Sequence, residues 1–146
     1  MPRIATLAPA CTALLAISTL TLLPACQTTD PDAFIEAQEF PRAVQSIADR
    51  AKDQGKPALV VVDADWCTYC KRYNASTLTD ASTERYLDEH TVFAHVDYDQ
   101  NKDALRAVGV TALPTTMLFV DGAPRASFTG PKSSDELIAW IEQHAG

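Results

Sequence analysis

The chain has 146 residues, four cysteines and a formal net charge of −7 at pH 7. This length suits one domain, and the acidic balance argues against nucleic acid or an anionic membrane surface as a partner. Only Cys67 and Cys70 lie in the part of the chain with a globular composition. A scaffold held by several disulfides is therefore excluded.

Residues 1–25 have the layout of an export signal. Arg3 supplies the positive start, the apolar run LLAISTLTLL follows, and a small residue precedes Cys26. The segment LLPAC resembles the lipobox of bacterial lipoproteins, in which the signal is cut before a cysteine that then carries lipid. The resemblance implies lipid on Cys26, a short linker over residues 26–33 and a domain over residues 34–146.

Two other interpretations of this N-terminal segment stay open. About 20 uncharged residues can span a bilayer as an uncleaved anchor, and ordinary secretion with cleavage elsewhere is a third possibility. The lipoprotein is favoured because Cys26 lies where the apolar run stops and polar residues begin. All three interpretations place the domain outside the cytoplasm, and the lipoprotein resemblance implies the periplasmic or cell-envelope side of a bacterial membrane. Removing the signal leaves 11 basic and 19 acidic side chains, a net charge of −8.

The first half of the predicted domain alternates helix and strand. Apolar residues at helical spacing, an early Pro41 and a final Gly55 predict a helix over FPRAVQSIADRAKDQG. The continuous apolar run ALVVVDA predicts a strand covered on both faces. A helix should begin at the cysteine pair and run through KRYNASTL, with another turn or helix in ASTERYLDEH.

The second half continues the pattern. TVFAHVDY predicts a second central strand, and NKDALRAVG a short helix with Asn101 as its cap. TTMLFV and PRASFT predict a hairpin around Asp121-Gly122, and SSDELIAWIEQH a final helix with a capping box from Ser133 to Glu136. The order α-β-α-β-α-β-β-α predicts an α/β fold with a central mixed β-sheet and helices on both faces.

The pair Cys67 and Cys70 allows three kinds of chemistry. A zinc site normally needs four ligands, and after the signal the chain offers only three histidines besides the pair. A structural disulfide suits an exported protein, but closing so short a loop adds little stability. Redox chemistry explains the spacing better, because two sulfurs one helical turn apart can bond and separate without a large backbone movement.

These segments carry a family resemblance. DADWCTYCK resembles the active-site segment of thioredoxin-fold proteins, and VGVTALPTTMLFVDG resembles the segment that carries their cis-proline. FTG before the last helix also fits, so the resemblance covers about Phe34 to Gly146. The arrangement Ala-Asp-Trp-Cys-x-x-Cys-Lys is especially similar to that of the C-terminal domain of DsbD-type reductases and of periplasmic thioredoxin-like lipoproteins. It implies the thioredoxin fold.

The resemblance also implies roles around the cysteine pair. Cys67, at a helix N-terminus that favours thiolate, would attack a substrate disulfide, and the more buried Cys70 would resolve the mixed disulfide. Trp66 would shield the site, although a core position for this side chain is an equal alternative. Thr68 and Tyr69 would tune the potential. Strong oxidants of the DsbA type have histidine in the second variable position, so Tyr69 favours a reductant.

Substrate binding and proton transfer involve a second group of residues. Pro114 matches the family's cis-proline, and the backbone of Leu113 would pair with the substrate chain. Thioredoxins carry a buried acid and a lysine at the positions of Val61 and His95, so the usual proton relay is absent. Asp63 and His95 are candidate substitutes, and purely structural roles for both are the alternative.

The sequence therefore predicts an extracytoplasmic thiol-disulfide oxidoreductase, reducing rather than oxidising, without metal or bound cofactor. The resemblance implies electrons from another dithiol protein such as a DsbD-like transmembrane donor, and contact with the membrane through the lipid on Cys26. Three alternatives remain: a disulfide oxidase or isomerase, a non-catalytic module that binds partners through the Leu113-Pro114 groove, and a metallochaperone for copper(I) or zinc.

Overall fold

The computed structural model describes residues 39–146, so the predicted signal, the linker and Cys26 lie outside the described residues. The helices are α1 (Arg42–Asp53), α2 (Thr68–Tyr73), α3 (Ala81–His90), α4 (Lys102–Ala107) and α5 (Ser134–Ala145). The strands are β1 (Ala58–Asp63), β2 (Val92–Asp97), β3 (Thr115–Val120) and β4 (Ala123–Thr129). Within residues 39–146 no helix is long and apolar enough to cross a membrane.

The four strands form one mixed sheet in the order β2-β1-β3-β4. Strand β1 runs parallel to β2 and antiparallel to β3, and β3 pairs with β4 in antiparallel fashion. The register places Val60 of β1 opposite Ala94 on one side and Met117 on the other. The predicted mixed sheet is confirmed, with the apolar run of β1 at its centre.

Apolar layers cover both faces of the sheet. Val60 and Val62 of β1 face α1 and α4, while Leu59 and Val61 face α2, α3 and α5. The helical side chains that fill these layers are Val44, Ala48, Ala51 and Leu105 on the first face, and Tyr73, Leu87, Leu137, Trp140 and Ile141 on the second. Burial on both faces explains why β1 is apolar without alternation.

Two local motifs form the structure that was predicted for them. Asp121 and Gly122 both have positive φ, 54° and 81°, as a two-residue turn between twisted antiparallel strands requires. Ser133 caps α5, because its hydroxyl accepts from the N–H of Glu136 while the Glu136 carboxylate accepts from the N–H of Ser133. The hairpin and the capping box are therefore confirmed.

The segment between β1 and β2 differs from the predicted order. Helix α2 is followed by one π-helical turn at Asn74–Leu78, and α3 is a separate helix capped by the Asp80 carboxylate. The helix allowed for in ASTERYLDEH is therefore confirmed as α3, so residues 39–146 contain one helix more than the summarised element order. Asn101 is the N-cap residue of α4 as predicted, but within residues 39–146 its side chain makes no capping bond because it is turned towards the Asp97 carbonyl, to which it donates at 3.0 Å.

Tyr73 places a hydroxyl inside the core under α2. The residue is fully buried, and burial raises the pKa of its hydroxyl to about 12 while the nearby Thr116 hydroxyl acts in the opposite direction. Neither hydroxyl reaches hydrogen-bond geometry with any partner among residues 39–146. A buried hydroxyl without a partner opposes folding, because it loses its hydrogen bonds to water.

We expect Tyr73→Phe to leave the free energy of unfolding unchanged or to raise it by up to about 1 kcal/mol, because only an unpaired hydroxyl is removed. Thr116→Val, which also keeps the side-chain shape, should act in the same direction. Urea unfolding of the full chain gives the measurement. A loss of more than about 1 kcal/mol in either variant would mean that the hydroxyl is hydrogen-bonded in the folded protein.

Candidate active site

The connection from β1 to α2 places Cys67 at a helix start. After Asp63 the chain turns, and the N–H of Cys67 donates to the Ala64 carbonyl at 3.0 Å. Cys67 has extended backbone angles and is the N-cap of α2, since its own carbonyl accepts from Lys71 N–H at 3.1 Å. The sulfur of an N-cap residue lies among backbone N–H groups that have no partner within the helix.

Cys67 and Cys70 form a disulfide across the first turn of α2. Their Cα atoms are 5.2 Å apart, and Cys70 N–H donates to the Cys67 sulfur at 3.1 Å. Both residues are buried, with 6% and 5% of their surface exposed, so in this oxidised state Cys70 is hardly more buried than Cys67. The two differ in access, because Cys67 lines the neighbouring groove and Cys70 does not.

The segment before β3 lies against the cysteine pair. The Leu113–Pro114 peptide bond is cis, as the resemblance implied. Ala64, Cys67 and Cys70 form a small buried cluster, and Leu113 packs against it from the side. The residue expected to pair with substrate therefore lies beside the residue expected to attack it.

A groove of about 360 Å³ opens at this point. The residues predicted from the sequence that line it are Trp66, Cys67, Thr68, Tyr69 and Leu113. Trp66 and Tyr69 are large side chains that remain 64% and 63% exposed. Within the described chain the alternative of a core position for Trp66 is wrong. The indole N–H donates to the Asp99 carboxylate at 2.7 Å, which holds the ring at the rim.

Four residues of this site were not predicted from the sequence. Tyr98, Thr111 and Ala112 also line the groove, and Asp99 anchors Trp66. Tyr98 and Asp99 could have been predicted from the sequence, because they directly follow β2. The carboxyl ends of adjacent parallel strands meet at one edge of a sheet, so residues after β2 are expected beside residues after β1. Tyr98 N–H donates to the Asp63 carbonyl at 2.8 Å, which joins the ends of β1 and β2.

Asp63 and His95 form a pair. The carboxylate of Asp63 lies 2.5 Å from Nδ1 of His95, with about a quarter and a third of the two side chains exposed. The register explains the pairing, since His95 lies opposite Val61 and its side chain shares a face with Asp63. Neither residue makes a hydrogen bond to either sulfur among the contacts of residues 39–146. A role in proton transfer stays a prediction.

Comparison with known proteins gives the family. A protein-family model described as thioredoxin matches residues 33–143, which is most of the chain. The chain belongs to the thioredoxin family. The thioredoxin of Mycobacterium tuberculosis is 36% identical over 93 residues, which covers 64% of this chain and 78% of that protein.

DsbD proteins are a second group of similar proteins. The thiol:disulfide interchange protein DsbD of Actinobacillus pleuropneumoniae is 29% identical over 111 residues, covering 68% of this chain. The oxidised C-terminal domain of Neisseria meningitidis DsbD superposes with a TM-score of 0.56 at 27% identity, covering 70% of this chain and 90% of that domain. The resemblance to DsbD C-terminal domains is therefore confirmed.

Several relatives are much longer than this protein. The chain spans 19% of that DsbD and 18% of the matched disulfide isomerases of Oryza sativa and Gallus gallus. Activities that belong to those whole proteins are therefore proposals here. Family membership and the Cys67–Cys70 pair together indicate a thiol-disulfide oxidoreductase.

If the pair of Asp63 and His95 carries the proton that leaves Cys70, His95→Gln should slow the resolution of the mixed disulfide about ten-fold. Glutamine can still donate to Asp63 but cannot accept a proton at neutral pH, so the formation of the mixed disulfide by Cys67 should be unchanged. Rapid acid quenching of the full chain reacting with a protein disulfide measures both steps. His90→Gln, at an exposed position on α3, is the control, and equal resolution rates in the two variants would contradict the role.

Proposed function

We propose that this protein is a reductase of protein disulfides. The observation that carries the proposal is the Cys67–Cys70 disulfide at the start of α2, beside a groove that is lined by Cys67 and bordered by Leu113 before a cis-proline. This arrangement presents one sulfur to a partner and keeps the second within bonding distance of the first.

The first step uses Cys67. In the dithiol form its thiolate attacks one sulfur of a substrate disulfide; a bond forms between Cys67 and that sulfur, and the substrate S–S bond breaks. The other substrate sulfur leaves as a thiolate and takes up a proton. The N–H of Cys70, which points at the Cys67 sulfur, and the unpaired N–H groups of the first turn favour the thiolate.

The second step uses Cys70. It loses its proton and attacks the Cys67 sulfur, which forms the internal disulfide seen in the structure and releases the second substrate sulfur as a thiol. Over both steps the substrate gains two electrons and two protons, and the protein loses them. An extended substrate held by the backbone at Leu113 would have its disulfide beside Cys67 during both steps.

The direction of reduction rests on the residues around the sulfurs. Thr68 and Tyr69 between the cysteines carry no positive charge, and a charge of this kind is what would stabilise the thiolate enough to make the disulfide strongly oxidising. The similarity to DsbD C-terminal domains supports the same direction. The electrons would then come from a second dithiol protein, for which a DsbD-like transmembrane protein is our proposal.

Replacement of the two cysteines tests their roles. Cys67→Ser should abolish reduction of insulin disulfides by the full chain with dithiothreitol as the electron source, because the attacking sulfur is gone. Cys70→Ser should also be inactive in turnover, and when it is first reduced, freed of dithiothreitol and then mixed with insulin it should accumulate a covalent mixed disulfide that the Cys67→Ser variant cannot form. Non-reducing gel electrophoresis detects the adduct. Adduct formation by Cys67→Ser, or full activity of either variant, would contradict the assignment.

We also propose that lipid on Cys26 anchors the protein to the outside of a bacterial membrane, on the support of the signal-like sequence before it. Labelled fatty acid should enter the full chain expressed in a bacterium and should be lost in Cys26→Ser. Cys11→Ser is the matched control, because Cys11 lies within the signal and would be removed with it. Absence of label in the unaltered chain would overturn the proposal.

A further inference from the structure

One hydrogen bond ties the exposed Trp66 ring to the loop after β2. The indole N–H donates to the Asp99 carboxylate at 2.7 Å, and 64% of the Trp66 surface is exposed. Asp99 is exposed as well. A hydrogen bond between two exposed side chains adds little to folding stability, because water can replace either partner. The main effect of this bond is to fix the position of the ring.

The loop that carries Asp99 is itself held in place. Gln100 N–H donates to the Asp97 carboxylate at 2.9 Å, which closes the turn around Asp99. Tyr98 N–H donates to the Asp63 carbonyl at 2.8 Å, which joins the same loop to the end of β1. The carboxylate therefore holds the indole from a backbone that is bonded on both sides of Asp99.

The tethered ring belongs to the surface that a substrate would meet. Trp66 and Leu113 line the groove together with Cys67, so a chain that pairs with the backbone of Leu113 lies close to the indole. An indole that was free to rotate would have to be ordered as the substrate binds. Ordering one such side chain weakens a complex by about two- to ten-fold. The bond to Asp99 removes this loss, because the ring is already in place.

We infer that Asp99 is a positioning residue for protein substrates, which acts by fixing the Trp66 ring at the groove. The inference rests on the proposed reductase function. Asp99 lies outside the set of residues that line the groove, so its effect reaches the substrate through the indole. A small disulfide can meet Cys67 with few contacts along the groove and gains little from a fixed ring. Asp99 therefore increases the preference for protein disulfides over small ones.

The negative charge of Asp99 would have a different effect. A carboxylate near a thiol disfavours the thiolate, so loss of the charge alone would speed the attack of Cys67 on every disulfide. Loss of the tether would instead slow the reaction with protein disulfides. The two effects also separate by substitution, because Asp99→Asn removes the charge and keeps an oxygen that can accept from the indole.

The test compares a protein disulfide with a small one. The full chain is reduced, freed of dithiothreitol and mixed with insulin or with bis(2-hydroxyethyl) disulfide. One turnover converts one substrate disulfide into two thiols and the thiols of Cys67 and Cys70 into the internal disulfide. The readout is the ratio of the second-order rate constant with insulin to that with the small disulfide. The dependence on insulin concentration separates weaker binding from a slower reaction.

We expect Asp99→Ala to lower this ratio about two- to ten-fold, through a higher half-saturating concentration of insulin. Asp99→Asn should keep most of the ratio. Asp103→Ala is the matched control, because it removes the same charge from an exposed position in the first turn of α4. In NMR relaxation measurements the Trp66 indole N–H should gain fast motion in Asp99→Ala but not in Asp99→Asn.

A double variant tests whether Asp99 acts through the indole. Trp66→Phe removes the N–H that Asp99 binds, so the tether is already lost in this variant. Adding Asp99→Ala should then leave the ratio where Trp66→Phe alone places it. A further fall of the same size as in the unaltered background would show that Asp99 acts by another route, and would overturn the inference.

Other results would overturn the inference and leave the proposed function intact. They are an unchanged ratio in Asp99→Ala, an equal fall in Asp99→Asn or in Asp103→Ala, and a Trp66 indole that stays ordered in Asp99→Ala. If the unaltered chain reduces neither disulfide, the reductase function fails and the inference fails with it. A poorly folded variant lowers both rate constants by the same factor, so the ratio reports on the folded molecules alone.

Discussion

The site depends on the pairing of β1 with the strands on either side of it. Val60 and Val62 of β1 pack in the layer on one face and Leu59 and Val61 in the layer on the other, so a slip of one residue would exchange the side chains of the two layers. The antiparallel partner β3 brings Leu113 and Pro114 next to the end of β1, and the parallel partner β2 brings Tyr98 and Asp99. Three loops thus meet around Cys67 at one edge of the sheet.

This arrangement separates the two demands of disulfide exchange. The reacting sulfur must be accessible, and the cysteine pair must be held in a geometry where the internal bond can form. Access comes from the groove with its exposed Trp66 and Tyr69, while the geometry comes from the first turn of α2.

The sequence predicted those features that depend on local chemistry. The turn at Asp121-Gly122, the capping box at Ser133 and the buried strand β1 each follow from a few adjacent residues. The bond from Trp66 to Asp99 did not follow, because it joins residues 33 apart in the sequence that only the fold brings together. The π-helical turn at Asn74–Leu78 has no known signal among its own residues.

The reduction potential of the Cys67–Cys70 pair tests the central claim most directly. The full chain would be equilibrated with dithiothreitol or glutathione redox buffers, and the fraction of disulfide measured by thiol labelling. A reductase fed by a second dithiol protein predicts a value near that of thioredoxin, about −270 mV. A value near that of a strong oxidant, about −120 mV, would contradict the account and identify the protein as a donor of disulfides.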